Sequence, residues 1–153
     1  MVGRRGYSVK VALCFSVALA GCFWRSYGRV VATHAELLTA MARKGVDLVA
    51  SGRLTAESMP ELTYPLERTQ AFVEGARVRA GDTPPASLLA LETLAARYRT
   101  FVDALDRGRR ELRGDAARTA LAAPLADVEA AAAAVTAALR AEGRAPAVSA
   151  GAG

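Results

Sequence analysis

Three kinds of side chain in this sequence could do chemistry: two thiols, one imidazole and a cluster of guanidinium groups. Cys14 and Cys22 stand eight residues apart in an apolar N-terminal stretch, which matches neither a zinc site nor a disulfide framework. His34 is the only histidine, four residues after Val30 and seven before Met41 on an apolar stripe. A haem-binding bundle could use such a His with a Met as axial ligands, but covalent haem needs Cys-x-x-Cys-His, and a helix-borne metal site needs further His or Glu-x-x-His pairs. Neither pattern is present, so His34 is read as an ordinary part-buried or interface histidine. Any Ser–His–Asp or Cys–His set would have to use His34, and its neighbours Thr33 and Glu36 suggest none. Glu61, Glu67, Asp103 and Asp106 fall at helix-surface positions and read as solvated carboxylates. Arg107, Arg109, Arg110 and Arg113 gather where a helix should end. There the helix dipole favours cations, and an anionic envelope partner is the other reading of the same patch. With no Gly-rich phosphate loop either, the expectation is a chain that is not an enzyme and has no catalytic residue, metal or cofactor.

The residues around Cys22 carry more information. Arg4, Arg5 and Lys10 form a positive start, Val11 to Ala20 an uncharged apolar run too short for a bilayer span, and Leu19-Ala20-Gly21-Cys22 follow. This segment resembles the signal peptide and lipobox of bacterial lipoproteins, matching it at all four positions. The resemblance covers only the leader and Cys22. It implies cleavage between Gly21 and Cys22, a diacylglyceryl thioether on the Cys22 sulfur, and further acylation of the freed amine. Small Ala20 and Gly21 would let a peptidase reach extended backbone, and Leu19 would fill an apolar pocket. Two or more acyl chains hold a protein durably where one does not. An uncleaved signal anchor is the alternative. Arg4-Arg5-Gly6-Tyr7 partly resembles a twin-arginine export signal, although Ser8 stands where an apolar residue is usual.

That address sets the partner. Phe23, rather than Asp, follows Cys22, which by the same resemblance favours the outer membrane facing the periplasm in a Gram-negative cell, and otherwise the outer face of the plasma membrane. Phe23, Trp24 and Tyr27 alternate with Arg25 and Arg29, a mixture that suits a membrane interface or simply packing beneath the bundle. The net charge of +5 counts 20 basic against 15 acidic residues. Removing Arg4, Arg5 and Lys10 with the leader leaves 17 against 15, too even a balance to argue for nucleic acid.

The elements that must carry these residues read as helices throughout. Val30, Leu37, Met41 and Leu48, with Val31, Leu38 and Val49 beside them, predict a helix from about Gly28 to Ala50 ending at Ser51-Gly52. Ser58-Met59-Pro60-Glu61 resembles a capped start, Thr63-Tyr64-Pro65 offers a second, and a helix is expected from about Pro65 to Ala80. Gly81-Asp82-Thr83-Pro84-Pro85 is a loop. Leu91, Tyr98, Leu105 and Leu112 then recur every seven residues with Leu94 and Phe101 between them, a bundle seam. Leu121, Leu125, Val128, Ala132, Val135 and Leu139 mark a fourth helix, kinked or restarted at Pro124. Its alanine-rich middle is interrupted by Asp127 and Glu129, so no second apolar run near a span is expected after the leader.

The expectation is therefore all-α: a small antiparallel up-down bundle of about four helices after an N-terminal signal peptide. Residues 1–21 are the signal peptide, 22–29 the lipidated N-terminus and juxtamembrane linker, 30–142 the bundle and 143–153 a disordered tail. The expected function is a non-enzymatic interaction or structural module of the cell envelope, membrane-bound through Cys22, with an envelope protein or the cell wall as partner. The alternative is a bundle that binds a small ligand or metal in its core.

Overall fold

A computed structural model describes residues 7–145 of the chain, with side chains from residue 26 onward. Four helices occupy that range: α1 (Tyr7–Ala50), α2 (Met59–Ala80), α3 (Ala86–Glu111) and α4 (Gly114–Ala141). No strand occurs among the described residues. Residues 1–6 of the leader and 146–153 of the tail lie outside them.

α1 buries Val31, Ala35, Leu38, Ala42, Val46 and Val49, an almost regular alternation of four- and three-residue steps. Val30, Leu37, Met41 and Leu48, expected to lead the stripe, are only half-buried at its flank. The seam is centred one position further round because Ala35 and Ala42 belong to it, and alanine contributes little to a hydrophobic pattern while allowing helices to approach closely. Leu91, Leu94, Tyr98, Phe101 and Leu105 of α3 are all fully buried, so the seven-residue repeat is the bundle seam. Leu112 falls just past the helix and is half-buried. α4 runs unbroken across Pro124 and buries Ala117, Leu121, Val128, Ala131, Val135 and Leu139.

α1 packs against all three other helices, whereas α2 and α4 do not touch each other. Short connections reverse the chain at each step. Residue pairs that meet between α1 and α2 are Lys44 with Glu61 and His34 with Thr69, an antiparallel register. Arg43 with Glu129, together with Gly28 against Arg144 just past α4, sets the same sense for α1 and α4. Tyr27 meets Ser87 near one end of the bundle and Gly45 meets Leu105 towards the other, so α1 and α3 run parallel across the diagonal. The molecule is thus an up-down bundle of rhombic section with α1 and α3 on the short diagonal. Gly45 permits that approach: a Cβ there would lie 2.5 Å from Leu105 Cδ1.

α2 begins six residues earlier than Pro65. Pro60 sits in its first turn, where a proline costs no backbone bond, and Pro65 is accommodated within the helix. Pro65 cannot donate to the carbonyl a turn back, and nearby the buried Tyr98 hydroxyl donates to the Leu62 carbonyl at 2.9 Å. The expected capping box at Ser58 does not form. The Ser58 hydroxyl donates to the Thr55 carbonyl at 3.1 Å, and Glu61 pairs with Lys44 instead.

Two boundaries differ from expectation. Residues 22–29, read as a linker, continue α1 as helix. Arg144, read as part of the tail, is folded against Gly28 and Tyr27 of α1. Gly143 has φ +66°, and its N–H and that of Arg144 bond back to the Arg140 and Leu139 carbonyls at 3.0 and 2.8 Å. This is the Schellman ending that a glycine makes cheap. A third finding concerns α4: by length and composition it is apolar enough to cross a membrane, although little of it is buried. Alanine supplies that apolarity, and the leucine and valine stripe of α4 is spent inside the bundle.

Candidate functional site

The end of the bundle from which α1 runs back toward Cys22 gathers polar groups from several helices. Glu142, just past α4, accepts from the Ser87 N–H and the Ser87 hydroxyl, both at 2.8 Å. Ser87 gives its only hydroxyl proton to that carboxylate, so Tyr27 is the donor across the 3.1 Å contact between Tyr27 Oη and Ser87 Oγ. Arg144 closes the set: its Nη1 lies 3.3 Å from Glu142 Oε2 and its guanidinium 5.4 Å from the Tyr27 ring centre. Gly28 is needed beneath it, since a Cβ there would collide with the Arg144 carbonyl oxygen. Pro85, the residue before α3, has no side chain able to cap the helix. Glu142 supplies the missing acceptor from another helix, and its charge faces the positive end of the α3 dipole.

Burial raises the Tyr27 phenol pKa. The Ser87 bond opposes this, Glu142 adds to it, and Arg144 opposes it. Tyr27 is thus a buried proton donor, which settles its role: it packs under the bundle rather than reaching the interface. The side chains of Phe23, Trp24 and Arg25 lie outside the described residues.

His34 sits two turns further along α1. Its ring stacks on Phe72 with centroids 5.0 Å apart, and its Nδ1 lies 2.9 Å from Thr69 Oγ1. Thr69 donates its own proton to the Pro65 carbonyl at 2.8 Å. The neutral imidazole therefore donates from Nδ1 and keeps its lone pair on Nε2. Burial depresses the His34 pKa, and the Arg68 charge depresses it further. Among the described residues no group of three or more His, Cys, Asp or Glu could hold a metal.

The candidate anionic patch is largely engaged with its own helix. Arg109 Nε donates to Asp106 at 2.6 Å, and Arg110 Nη2 is 4.0 Å from the same carboxylate. Arg109 thereby holds Asp106 below the usual carboxylate range. Arg113 donates to the Arg109 and Leu112 carbonyls at 2.9 and 2.5 Å, satisfying groups that a helix C-terminus leaves open. Arg107 is exposed. Arg107, Arg109 and Arg110 lie in the last turns of α3, and Arg113 stands between α3 and α4.

Gly21 and Cys22 lie on the backbone of α1, and the thiol lies outside the described side chains. A groove between α1 and α4 of about 390 Å³ is lined mainly by Ala32, Ala35, Thr39, Ala132 and Thr136. Both threonine hydroxyls bond back to their own helices, and Glu36 and Arg43 also line the groove, so its walls mix methyl groups with charge. The sequence reading missed Ser87, Glu142 and Arg144. Gly143 was the available signal: a glycine one position past Glu142 and four past Leu139 is a C-cap, which places both neighbours against the bundle. No protein family, characterised protein or solved structure matches this chain.

Proposed function

We propose that this chain is the precursor of a lipid-anchored cell-envelope protein, cut before Cys22 and acylated there, whose bundle serves as a non-enzymatic structural or interaction module. One observation carries the non-enzymatic part. The polar groups the fold gathers most closely, Ser87, Glu142 and Tyr27, are consumed in tying the ends of α1, α3 and α4 together, and Ser87 is wholly buried. The Leu-Ala-Gly-Cys sequence after a charged and then apolar start supports the anchoring. In this reading the bundle is a rigid body held at the membrane by lipid and offering its flanks to an envelope protein or the cell wall. Intact mass and palmitate labelling test it: the mature chain should begin at acylated Cys22, and Cys22→Ser should take up no label. A mature chain that begins elsewhere, or label retained by that variant, would sink the idea.

A second reading draws on the unbroken course of α1 through Gly21-Cys22, since a processing peptidase needs extended backbone there. In that case residues 11–20 stay attached as a signal anchor and the intact mass includes the leader.

A further inference from the structure

The bundle end nearest Cys22 combines exposed apolar side chains with outward cations. The register set by His34–Thr69 and Lys44–Glu61 places Val78 level with residues 25–27 of α1. At about 1.5 Å per residue, Val78 stands only about 5–8 Å along the helix axis from the level of Cys22. Val78 is 85% exposed and Leu89, in the first turn of α3 at the same end, is 42% exposed. They are two of the three exposed large apolar residues among those described. Arg29, Arg79 and Arg140 are exposed on α1, α2 and α4 towards the same end, Arg79 with its Nη1 donating to the Gly75 carbonyl at 3.1 Å. Arg29 and Arg140 make no ion pair among the described residues, while the acids of this end are Glu74, Asp82, Glu92, which pairs with Arg77 at 3.0 Å, and the inward-bonded Glu142.

We propose that this end of the bundle is a lipid-docking surface: Val78 and Leu89 enter the interface and Arg29, Arg79 and Arg140 recognise anionic phospholipid headgroups. The inference rests on the anchored reading above, which puts residue 22 at the membrane. Charge complementarity chooses the occupant. Isolated apolar side chains at an end that also exposes arginines suit a headgroup layer, where apolar tips find partial cover and guanidinium groups meet phosphates. The closed Tyr27–Ser87–Glu142–Arg144 set makes the surface firm, because it fixes α1, α3 and α4 relative to one another just behind it.

The test uses the full chain with its own anchor, reconstituted into vesicles containing phosphatidylglycerol or made of phosphatidylcholine alone. Arginine modification by phenylglyoxal is read residue by residue by mass spectrometry. Arg29, Arg79 and Arg140 should react about fivefold more slowly on the anionic vesicles, the factor that one cation near such a surface contributes. Arg53, Arg107 and Arg118 at the far end should react alike on both. Amide exchange of residues 81–89 should slow in parallel, and an Arg29→Gln, Arg140→Gln double variant should lose that slowing while floating with the vesicles as before. Flotation with equal reactivity on both vesicle types overturns the docking surface and leaves the anchor standing. Failure to float with either type overturns both.

Discussion

Glu142 links sequence to packing through a single carboxylate. It accepts two bonds from Ser87 and meets Arg144, so one residue past α4 closes the start of α3 and the flank of α1. Such an acceptor is invisible to periodicity, because it acts across the fold from a position that carries no pattern. His34 is the opposite case. Its place on an apolar stripe was enough to read it as part-buried, although its partners on α2 could not be named. A consequence follows for pH. Burial and Arg68 keep the folded-state pKa of His34 below its ordinary value near 6.5, so the neutral ring is the form the fold prefers. Above that value both folded and unfolded chains hold it neutral and it contributes no pH dependence. As pH falls through 6.5 the unfolded chain takes up the proton first, and stability is lost until the folded-state pKa is passed. Thermal melts at pH 7.5 and pH 5 should show a drop for the native chain that is smaller in His34→Leu. An equal drop in both would mean that His34 is not the group responsible.

At the scale of the element, the four helices were legible because leucine, valine and aromatic residues repeat at helical spacing. The exact seam of α1 was not, because Ala35, Ala42 and Gly45 do part of the packing and have no hydrophobic signature. Two of the helix-interior glycines, Gly45 and Gly75, make the point testable. Glycine costs a helix interior up to about 1 kcal/mol relative to alanine. In α2, a Cβ at Gly75 would meet only Arg79 Nη1 at 3.4 Å, an ordinary contact at the end of a flexible side chain. Gly75→Ala should therefore stabilise by about 0.5–1 kcal/mol. At Gly45 the new methyl would lie 2.5 Å from Leu105 Cδ1, and Leu105 is fully buried on the short diagonal. Overpacking of this kind costs about 1–3 kcal/mol, more than the helix propensity returns. Gly45→Ala should thus destabilise, with denaturant midpoints moving in opposite directions for the two variants. A stabilised Gly45→Ala would show that α1 and α3 are not in close contact there.

For the whole molecule, the proposed anchor raises the question of how lipid and bundle would share the work of holding the membrane. Bundle architecture could be read from the sequence; which end would face the membrane in the proposed anchored state follows only from the helix register, which puts Val78, Leu89 and Arg140 at the end of the bundle nearer Cys22. The energetic ranking favours the lipid. Each buried CH₂ contributes about 0.8 kcal/mol, so two or three acyl chains far outweigh the bundle end, whose arginines contribute about 1 kcal/mol each near an anionic surface. Salt weakens only the second contribution, because the Debye length falls from about 10 Å at 0.1 M to about 3 Å at 1 M. A chain beginning at Phe23, without leader or lipid, should therefore be soluble. It should associate weakly with phosphatidylglycerol vesicles at low ionic strength, leave them as salt is raised, and ignore phosphatidylcholine. Co-sedimentation across a salt series measures this. Tight binding that survives high salt would reverse the ranking, since it would require apolar insertion by the segment from Phe23 to Arg29 or by α4, the one helix among the described residues long and apolar enough for a membrane.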